Sequence, residues 1–394
     1  MIDVEQARAE TPGVERVAHL NNAGAALMPE PVLEALMSHL RLEADIGGYE
    51  AEHEGWGRIE HTYELIAGLI GCAEDEIALV ENATRAWDMA FYAFRFGRGD
   101  RILTTQAEYA SNYIALRQVA DRAGASVEFL PEDEAGGVDV AALENALDER
   151  VKLVSLVHVP TQSGLVQPAA AVGAITRAAG VPLLLDACQS VGQMPVDVGA
   201  IGCDMLSATG RKFLRGPRGT GFLYVRRGLI ERLEPPLLDL HAAEWEEDGT
   251  YRIRSDARRF ENWESYVAGR VGLGVAAAYA MRWGLEEIRE RVVALAAALR
   301  ERLADTPGVT VHDVGPELCA IVTFSVAGHA PDEVADALRR EGVNVSVSPR
   351  SSSRAWFAGR GLPPEDIVRA STHYYNTDEE LDRLVAVVRG LSAS

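Results

Sequence analysis

Only four cysteines occur in 394 residues, Cys72, Cys188, Cys203 and Cys319, and no two of them stand at CxxC spacing. A disulfide framework and a cysteine zinc site are therefore not indicated, and the four read as reduced, mostly packed thiols. The nine histidines show neither HxH nor HExxH spacing, which disfavours metal catalysis. His158 reads as a packed strand residue. Cations are also scarce, with 38 Lys and Arg against 59 Asp and Glu and a formal net charge of -21. Phosphate backbones and anionic membranes are held by an excess of Lys and Arg, so nucleic acid and membrane are excluded as expected partners and small molecules remain. No apolar run approaches the span of a bilayer, and the start Met1-Ile-Asp-Val-Glu-Gln6 lacks the basic and apolar regions of a signal peptide. A cytoplasmic protein is expected.

What the chain does have is core: 47% of its residues are hydrophobic, and its length favours two domains over one. From about Asp75 to Val225 short β-rich runs alternate with amphipathic stretches, as in βα units built on a mostly parallel sheet. Strands are predicted at Arg101 to Thr105, Ser126 to Leu130, Lys152 to Val159, Pro182 to Asp186, Asp204 to Ser207 and Gly221 to Val225, and helices at Asn112 to Ala123, Val140 to Asp148 and Ala169 to Ala179. Leu240 to Tyr251 reads as a loop. Two long helices follow, Val267 to Trp283 and Leu285 to Leu303, and then a small α+β unit: strands Val309 to His312, Ala320 to Ser325 and Asn344 to Ser348, with helices Pro331 to Arg340 and Asp378 to Leu391. No internal repeat or low-complexity segment is present.

A parallel sheet places its ligands beyond the carboxyl ends of its strands, which directs attention to Thr105 to Asn112, Val159 to Gly164, Asp186 to Gln189 and Thr209 to Lys212. Lys212 lies among small and cationic residues in Ser207-Ala-Thr-Gly-Arg-Lys212, a setting suited to an amine that must lose its proton. The apolar run Pro182-Leu-Leu-Leu-Asp186 delivers a carboxylate at a strand end, and a buried aspartate needs a cationic partner. Together they describe a pyridoxal phosphate site, with Lys212 as the Schiff-base lysine and Asp186 keeping the pyridine nitrogen protonated. Glu81-Asn-Ala-Thr-Arg85 opens a helix whose N-H groups and Thr84 hydroxyl suit a phosphate, or else form an ordinary cap. Thr209 and Arg211 add hydroxyl and cationic contacts. Gly216-Pro-Arg-Gly-Thr-Gly221 imitates a dinucleotide fingerprint but precedes a strand instead of following one. Tyr109 is either a ring-stacking aromatic or a rim residue. Arg369 is either a carboxylate clamp or one half of a structural ion pair.

With these residues in this order, the chain resembles the class V aminotransferase family of fold type I pyridoxal phosphate enzymes from about Leu20 to Leu391. Leu20-Asn-Asn-Ala-Gly24, Gly47-Gly-Tyr-Glu-Ala-Glu52, Asp186-Ala-Cys-Gln-Ser190 and Arg369-Ala-Ser-Thr-His-Tyr-Tyr-Asn-Thr377 are most similar to the branch of isopenicillin N epimerase-like proteins and the ergothioneine-pathway carbon-sulfur lyase. The resemblance implies an α/β fold: a large domain over 16–265 with a mostly parallel seven-stranded sheet flanked by helices, and 1–15 with 266–394 forming an N-terminal segment, linking helices and a small α+β C-terminal domain. It implies a homodimer with shared active sites. It assigns Ala83, Thr84, Thr209 and Arg211 to the phosphate, Tyr109 to ring stacking, Thr161 and Gln189 to the ring hydroxyl, and Arg369 to the substrate carboxylate. Asn22, Trp87 and the loops 240–251 and 348–357 are expected to shape the pocket.

Three departures bear on the reaction. Cysteine desulfurases of the family carry a cysteine on the loop before the carboxylate arginine, but here the loop reads Ser348-Pro-Arg-Ser-Ser-Ser-Arg354 with Ser351 near that slot. Tyr109 stands where desulfurases have histidine. Arg259-Phe-Glu-Asn-Trp-Glu264 replaces a Gly-Thr pair that reaches a neighbouring subunit's phosphate, a contact assigned here to Asn262. The expected reaction is β-elimination from an S-substituted cysteine, with Lys212 as the base at Cα; Arg350 and Arg354 either suit a large or anionic substituent or are solvated loop charges. Transamination, epimerisation, oxygen-dependent decarboxylation or deamination, and a non-catalytic binding protein are the alternatives.

Overall fold

The computed structural model describes residues 1–359 and 366–392. A seven-stranded sheet is built from β1 (Ile77–Val80), β2 (Arg101–Thr105), β3 (Ser126–Leu130), β4 (Val151–Val157), β5 (Leu183–Asp186), β6 (Met205–Thr209) and β7 (Gly221–Val225). Their spatial order is β1-β7-β6-β5-β4-β2-β3. The pairs from β6 through β3 are parallel, while β7 runs antiparallel to both β1 and β6. Strands β5, β6 and β7 are buried at every position, as continuous apolar runs must be when helices cover both faces. Edge strand β3 is buried only at Leu130.

Two long helices, α1 (Glu30–Ile46) and α2 (Gly48–Ile70), were not anticipated; they pack against the predicted helix α3 (Val267–Trp283). A four-stranded antiparallel sheet follows, ordered Val309–Val311, Ile321–Val326, Ile367–Ser371, Ser346–Ser348. The single strand expected over 344–348 is split. Val343–Asn344 pairs in parallel with Ala18–His19, whereas Ser346–Ser348 pairs with Ile367–Arg369, so the segment changes partners at Val345. Part of the expected loop at 240–251 is a hairpin, Ala243–Trp245 against Tyr251–Ile253. Among the described residues no helix is long and apolar enough to cross a membrane.

Candidate active site

A cavity of about 450 Å³ opens at the carboxyl ends of β2, β4, β5 and β6, where a parallel sheet leaves strand ends and helix N-termini free to bind. Its wall includes Ala83, Thr84, Tyr109, Thr161, Asp186, Gln189, Thr209, Arg211 and Lys212. Nine residues expected at the cofactor thus meet in one place, from turns spread over 130 positions of sequence.

The helix Ala83–Phe91 begins at the cavity rim, with Asn82 as its cap: the Asn82 carboxamide oxygen accepts the Arg85 N-H at 2.9 Å. Helix geometry leaves the Ala83 and Thr84 N-H groups without intrahelical acceptors. Gly221 makes this approach possible, because a Cβ there would sit 2.9 Å from the Asn82 carbonyl carbon. Asp186 ends β5 and is 7% exposed. Its Oδ1 accepts the Cys188 N-H and its Oδ2 accepts from Asn112 Nδ2, both at 3.0 Å.

The sequence contains only two lysines. Lys152 lies on the surface, donating to the Glu149 carbonyl at 2.8 Å; Lys212 lines the cavity. Burial lowers the Lys212 pKa, with Arg211 and Arg369 acting in the same direction against Cys188 and Asp186. The lysine loop is pinned by Arg215, whose N-H donates to the Lys212 carbonyl at 2.9 Å. Arg215 is buried with φ of 61°, and its guanidinium binds the Leu27 carbonyl, Tyr374 hydroxyl and Thr11 Oγ1 while stacking near Tyr375. Gly192, at φ 94°, lets the backbone pass close against Phe213 and Leu214.

Arg369 reaches this wall from the small sheet. It donates through Nε to Ser346 Oγ at 3.1 Å and through Nη1 to the Thr161 carbonyl at 3.1 Å and to Thr161 Oγ1. Thr161 Oγ1 also accepts from Gln189 Nε2 at 3.2 Å, which ties Arg369 to the cavity wall. Arg369 is 8% exposed, and among the described residues no carboxylate lies within ion-pair distance of it. Burial, with Arg211 nearby, pulls its pKa down to about 10. Among the described residues the structural ion pair that the sequence left open for this residue is therefore not formed.

Three expected site residues do not line this cavity, one of them, Asn262, having been expected at a neighbouring subunit's phosphate. Asn22 is fully buried, its amide donating to the His19 and Ser371 carbonyls and its oxygen accepting from Tyr375, so the group is consumed by the fold. Asn262 accepts from Arg85 Nη2 at 2.9 Å and borders a small slot beside Glu81 and Tyr266. Arg350 lies on a short 3-10 turn, its N-H capped by Asp366. Conversely, Asn112 and Cys188 line the cavity without having been singled out. The position of each, four after Glu108 and two after Asp186, was the available signal.

These residues fit a pyridine ring bearing a phosphate and an aldehyde. Among the described residues Gln189 Oε1 is buried without a partner, the helix N-terminus with Thr84, Thr209 and Arg211 offers donors for a dianion, and Asp186 and Lys212 would supply a ring-nitrogen partner and an amine. Among the described residues no group of three His, Cys, Asp or Glu side chains is placed to hold a metal.

Comparison with known proteins agrees. The aminotransferase class-V model matches residues 18–384. The chain is 30% identical over 391 residues to a probable cysteine desulfurase of Methanothermobacter thermautotrophicus, covering 96% of each protein. It is 31% identical over 413 residues to probable cysteine desulfurase 2 of Mycobacterium leprae, covering 99% of this chain and 97% of the relative. The solved cysteine desulfurase of Thermococcus onnurineus NA1 superposes with a TM-score of 0.92 at 28% identity, over 100% of this chain and 99% of that one. These relatives are named as desulfurases, not as members of the epimerase and lyase branch that the motifs resemble. The chain belongs to the class V aminotransferase family of pyridoxal-phosphate-dependent fold type I enzymes.

Proposed function

We propose that the protein is a carbon-sulfur lyase of the epimerase and ergothioneine-lyase branch, eliminating a thiol from an S-substituted cysteine. Bound pyridoxal phosphate supplies an electron sink for the charge left at Cα. In this reading Arg369 holds the substrate carboxylate, Asp186 faces the ring nitrogen, and Ala83, Thr84, Thr209 and Arg211 hold the phosphate. Lys212 Nζ takes the Cα proton, a role that the lowering of its pKa by burial favours. The Cβ-S bond then breaks, the thiol leaves, and hydrolysis of the remaining three-carbon fragment gives pyruvate and ammonia. The active form is a homodimer, and a second copy is the route by which Asn262 reaches a phosphate.

The observation that carries elimination over persulfide formation is the placing of the thiols. Residues 348–354 contain no cysteine. Cys203 and Cys319 are buried at 1% and 0% exposure, and burial pushes the Cys72 thiol up to about 12. Cys188 faces the cavity, but burial and the neighbouring Asp186 raise its pKa, so the thiolate that would accept sulfur is disfavoured. The test is to incubate holoenzyme with S-alkyl-L-cysteines and with L-cysteine, measuring pyruvate, ammonia, thiol and alanine. Pyruvate, ammonia and thiol in equal amounts are expected. Alanine with enzyme-bound persulfide would establish desulfuration, the activity named for the relatives, and overturn elimination.

A further inference from the structure

Behind Asp186 lies a second buried carboxylate that the proposed reaction does not use. Glu108 is 3% exposed, and among the described residues no Lys, Arg or His pairs with it. Its Oε2 accepts from Thr104 Oγ1 at 2.7 Å and Ser155 Oγ at 2.8 Å. Its Oε1 accepts from the Tyr109 N-H and from Asn112 Nδ2, both at 2.9 Å. The same Asn112 nitrogen donates its other hydrogen to Asp186 Oδ2 at 3.0 Å. A buried carboxylate without a cation costs several kcal/mol unless its lone pairs are satisfied, and an apolar side chain would fill the space at less cost. Thr104, Ser155, Tyr109 and Asn112 come from β2, β4 and the helix Ala110–Ala123 with the residue that precedes it, so three elements converge on this one group.

The geometry has a direction. An amide bound only to Asp186 is free to rotate about its side-chain torsions; with one N-H fixed by Glu108, the other is fixed toward Asp186. Asp186 is then held at both oxygens, by Asn112 on Oδ2 and by the Cys188 N-H on Oδ1. We infer that Glu108 is a positioning residue which, by accepting from Asn112, orients the Asp186 carboxylate toward the ring nitrogen of the cofactor; this rests on the pyridoxal phosphate reading of the cavity. Because Glu108 lies in the turn just before the helix Ala110–Ala123 and Asn112 in its first turn, the arrangement tolerates no change of spacing between them.

Three variants test it: Glu108→Ala, Asn112→Ala and Glu108→Gln, each followed by thermal unfolding, fluorescence titration of the apoprotein with pyridoxal phosphate, and nitrogen NMR of holoenzyme carrying cofactor labelled at the ring nitrogen. Loss of a hydrogen bond to a charged group predicts about tenfold or greater weakening of cofactor affinity in both alanine variants. The ring nitrogen should titrate about one unit lower in each, as expected when its carboxylate partner is displaced. Glu108→Gln keeps an oxygen to accept from Asn112 and the Tyr109 N-H, while the Thr104 and Ser155 hydroxyls turn to accept from the new amide, so this variant should stay within about threefold of wild type in affinity. Unchanged affinity and unchanged ring-nitrogen titration in a folded Glu108→Ala or Asn112→Ala overturns the proposal even if the melting temperature falls. A glutamine variant as impaired as the alanine one overturns it too, by making charge the cause. Failure of both alanine variants to fold makes the network structural and has the same effect. Wild-type protein that takes up no cofactor sinks the underlying reading as well, whereas normal wild-type uptake with unaffected variants sinks this inference alone.

Discussion

Replacing Arg369 by methionine separates a guanidinium kept for a ligand from one that holds the fold. Burial lowers its pKa from 12.5 to about 10, and at about 1.4 kcal/mol per unit the charged form carries a penalty of roughly 3 kcal/mol in the empty site. Below pH 10 both folded and unfolded chains keep the proton, so this penalty is constant across the working range; folding would gain from the shift only between about 10 and 12.5, where the unfolded chain alone is protonated. Against the penalty stand the hydrogen bonds to Ser346 and Thr161, worth about 1 kcal/mol each. Arg369→Met should therefore leave apoprotein stability unchanged or raise it by up to about 2 kcal/mol in urea unfolding. Turnover should behave oppositely. Losing a two-pronged, charge-assisted grip on a carboxylate predicts a fall in kcat/KM of about a hundredfold or more for S-alkyl-L-cysteines. The corresponding S-alkyl cysteamines, which have no carboxylate, should react slowly and equally with both proteins. Destabilisation beyond about 2 kcal/mol, or an equal fall for both substrate series, would show that the arginine belongs to the fold and refute the argument.

Two other perturbations test independent parts of the site. Hydride reduction of holoenzyme should attach the cofactor to Lys212 alone by peptide mass mapping, and capture of cofactor by apoprotein should reach its plateau below pH 10.5, because burial lowers the amine's pKa and its unprotonated fraction rises earlier; labelling of Lys152 would sink the assignment. His158 is 7% exposed with its pKa pulled down by burial to about 4. The unfolded chain thus binds a proton between about 6.5 and 4 that the native one refuses, stability is intact above that window, and it falls as the pH drops through it. From pH 7 to pH 5 the wild type should lose about 2 kcal/mol more than His158→Leu in urea unfolding, and equal pH slopes would contradict this.

The large sheet was legible because its central strands are buried on both faces and appear as apolar runs with breakers between them, while edge strand β3 was read from its β-rich composition; β2, β3 and β7 fall at the predicted bounds. The carboxyl-edge rule then located the cavity wall before any contact was known. Less visible were elements whose character is set by distant partners. Ile367–Ser371 carries an arginine and a serine in its middle and at its end, so its alternation is weak, yet pairing on both sides with Ile321–Phe324 and Ser346–Ser348 makes it a central strand. Asn22 shows the converse: its motif pointed to substrate, while the amide is consumed by carbonyls from residues 19 and 371, 352 positions apart. The network of Glu108, Asn112 and Asp186 was legible only in the four-residue spacing of Asn112 after Glu108, because a carboxylate without a cation in sequence proximity gives no sign of being buried.

The excess of acid over base and the cations at the cavity are compatible because they act over different distances. At physiological ionic strength exposed charges beyond about 8 Å are largely screened, so the net charge of -21 spread over the chain adds little at the bottom of a cavity walled by protein. What acts there is local: Arg211 and Lys212 in the wall and Arg369 beside it, against a single aspartate among the lining residues. In a low-dielectric wall these interactions are several times stronger than in water. The same wall makes each unpaired cation costly, which is visible in the lowered pKa values of both Lys212 and Arg369. In the proposed reading, an anionic phosphate near the helix N-terminus at Ala83 and an anionic carboxylate at Arg369 would relieve that cost at two separate points, and this would set the orientation of what enters, with its Cα toward the lysine.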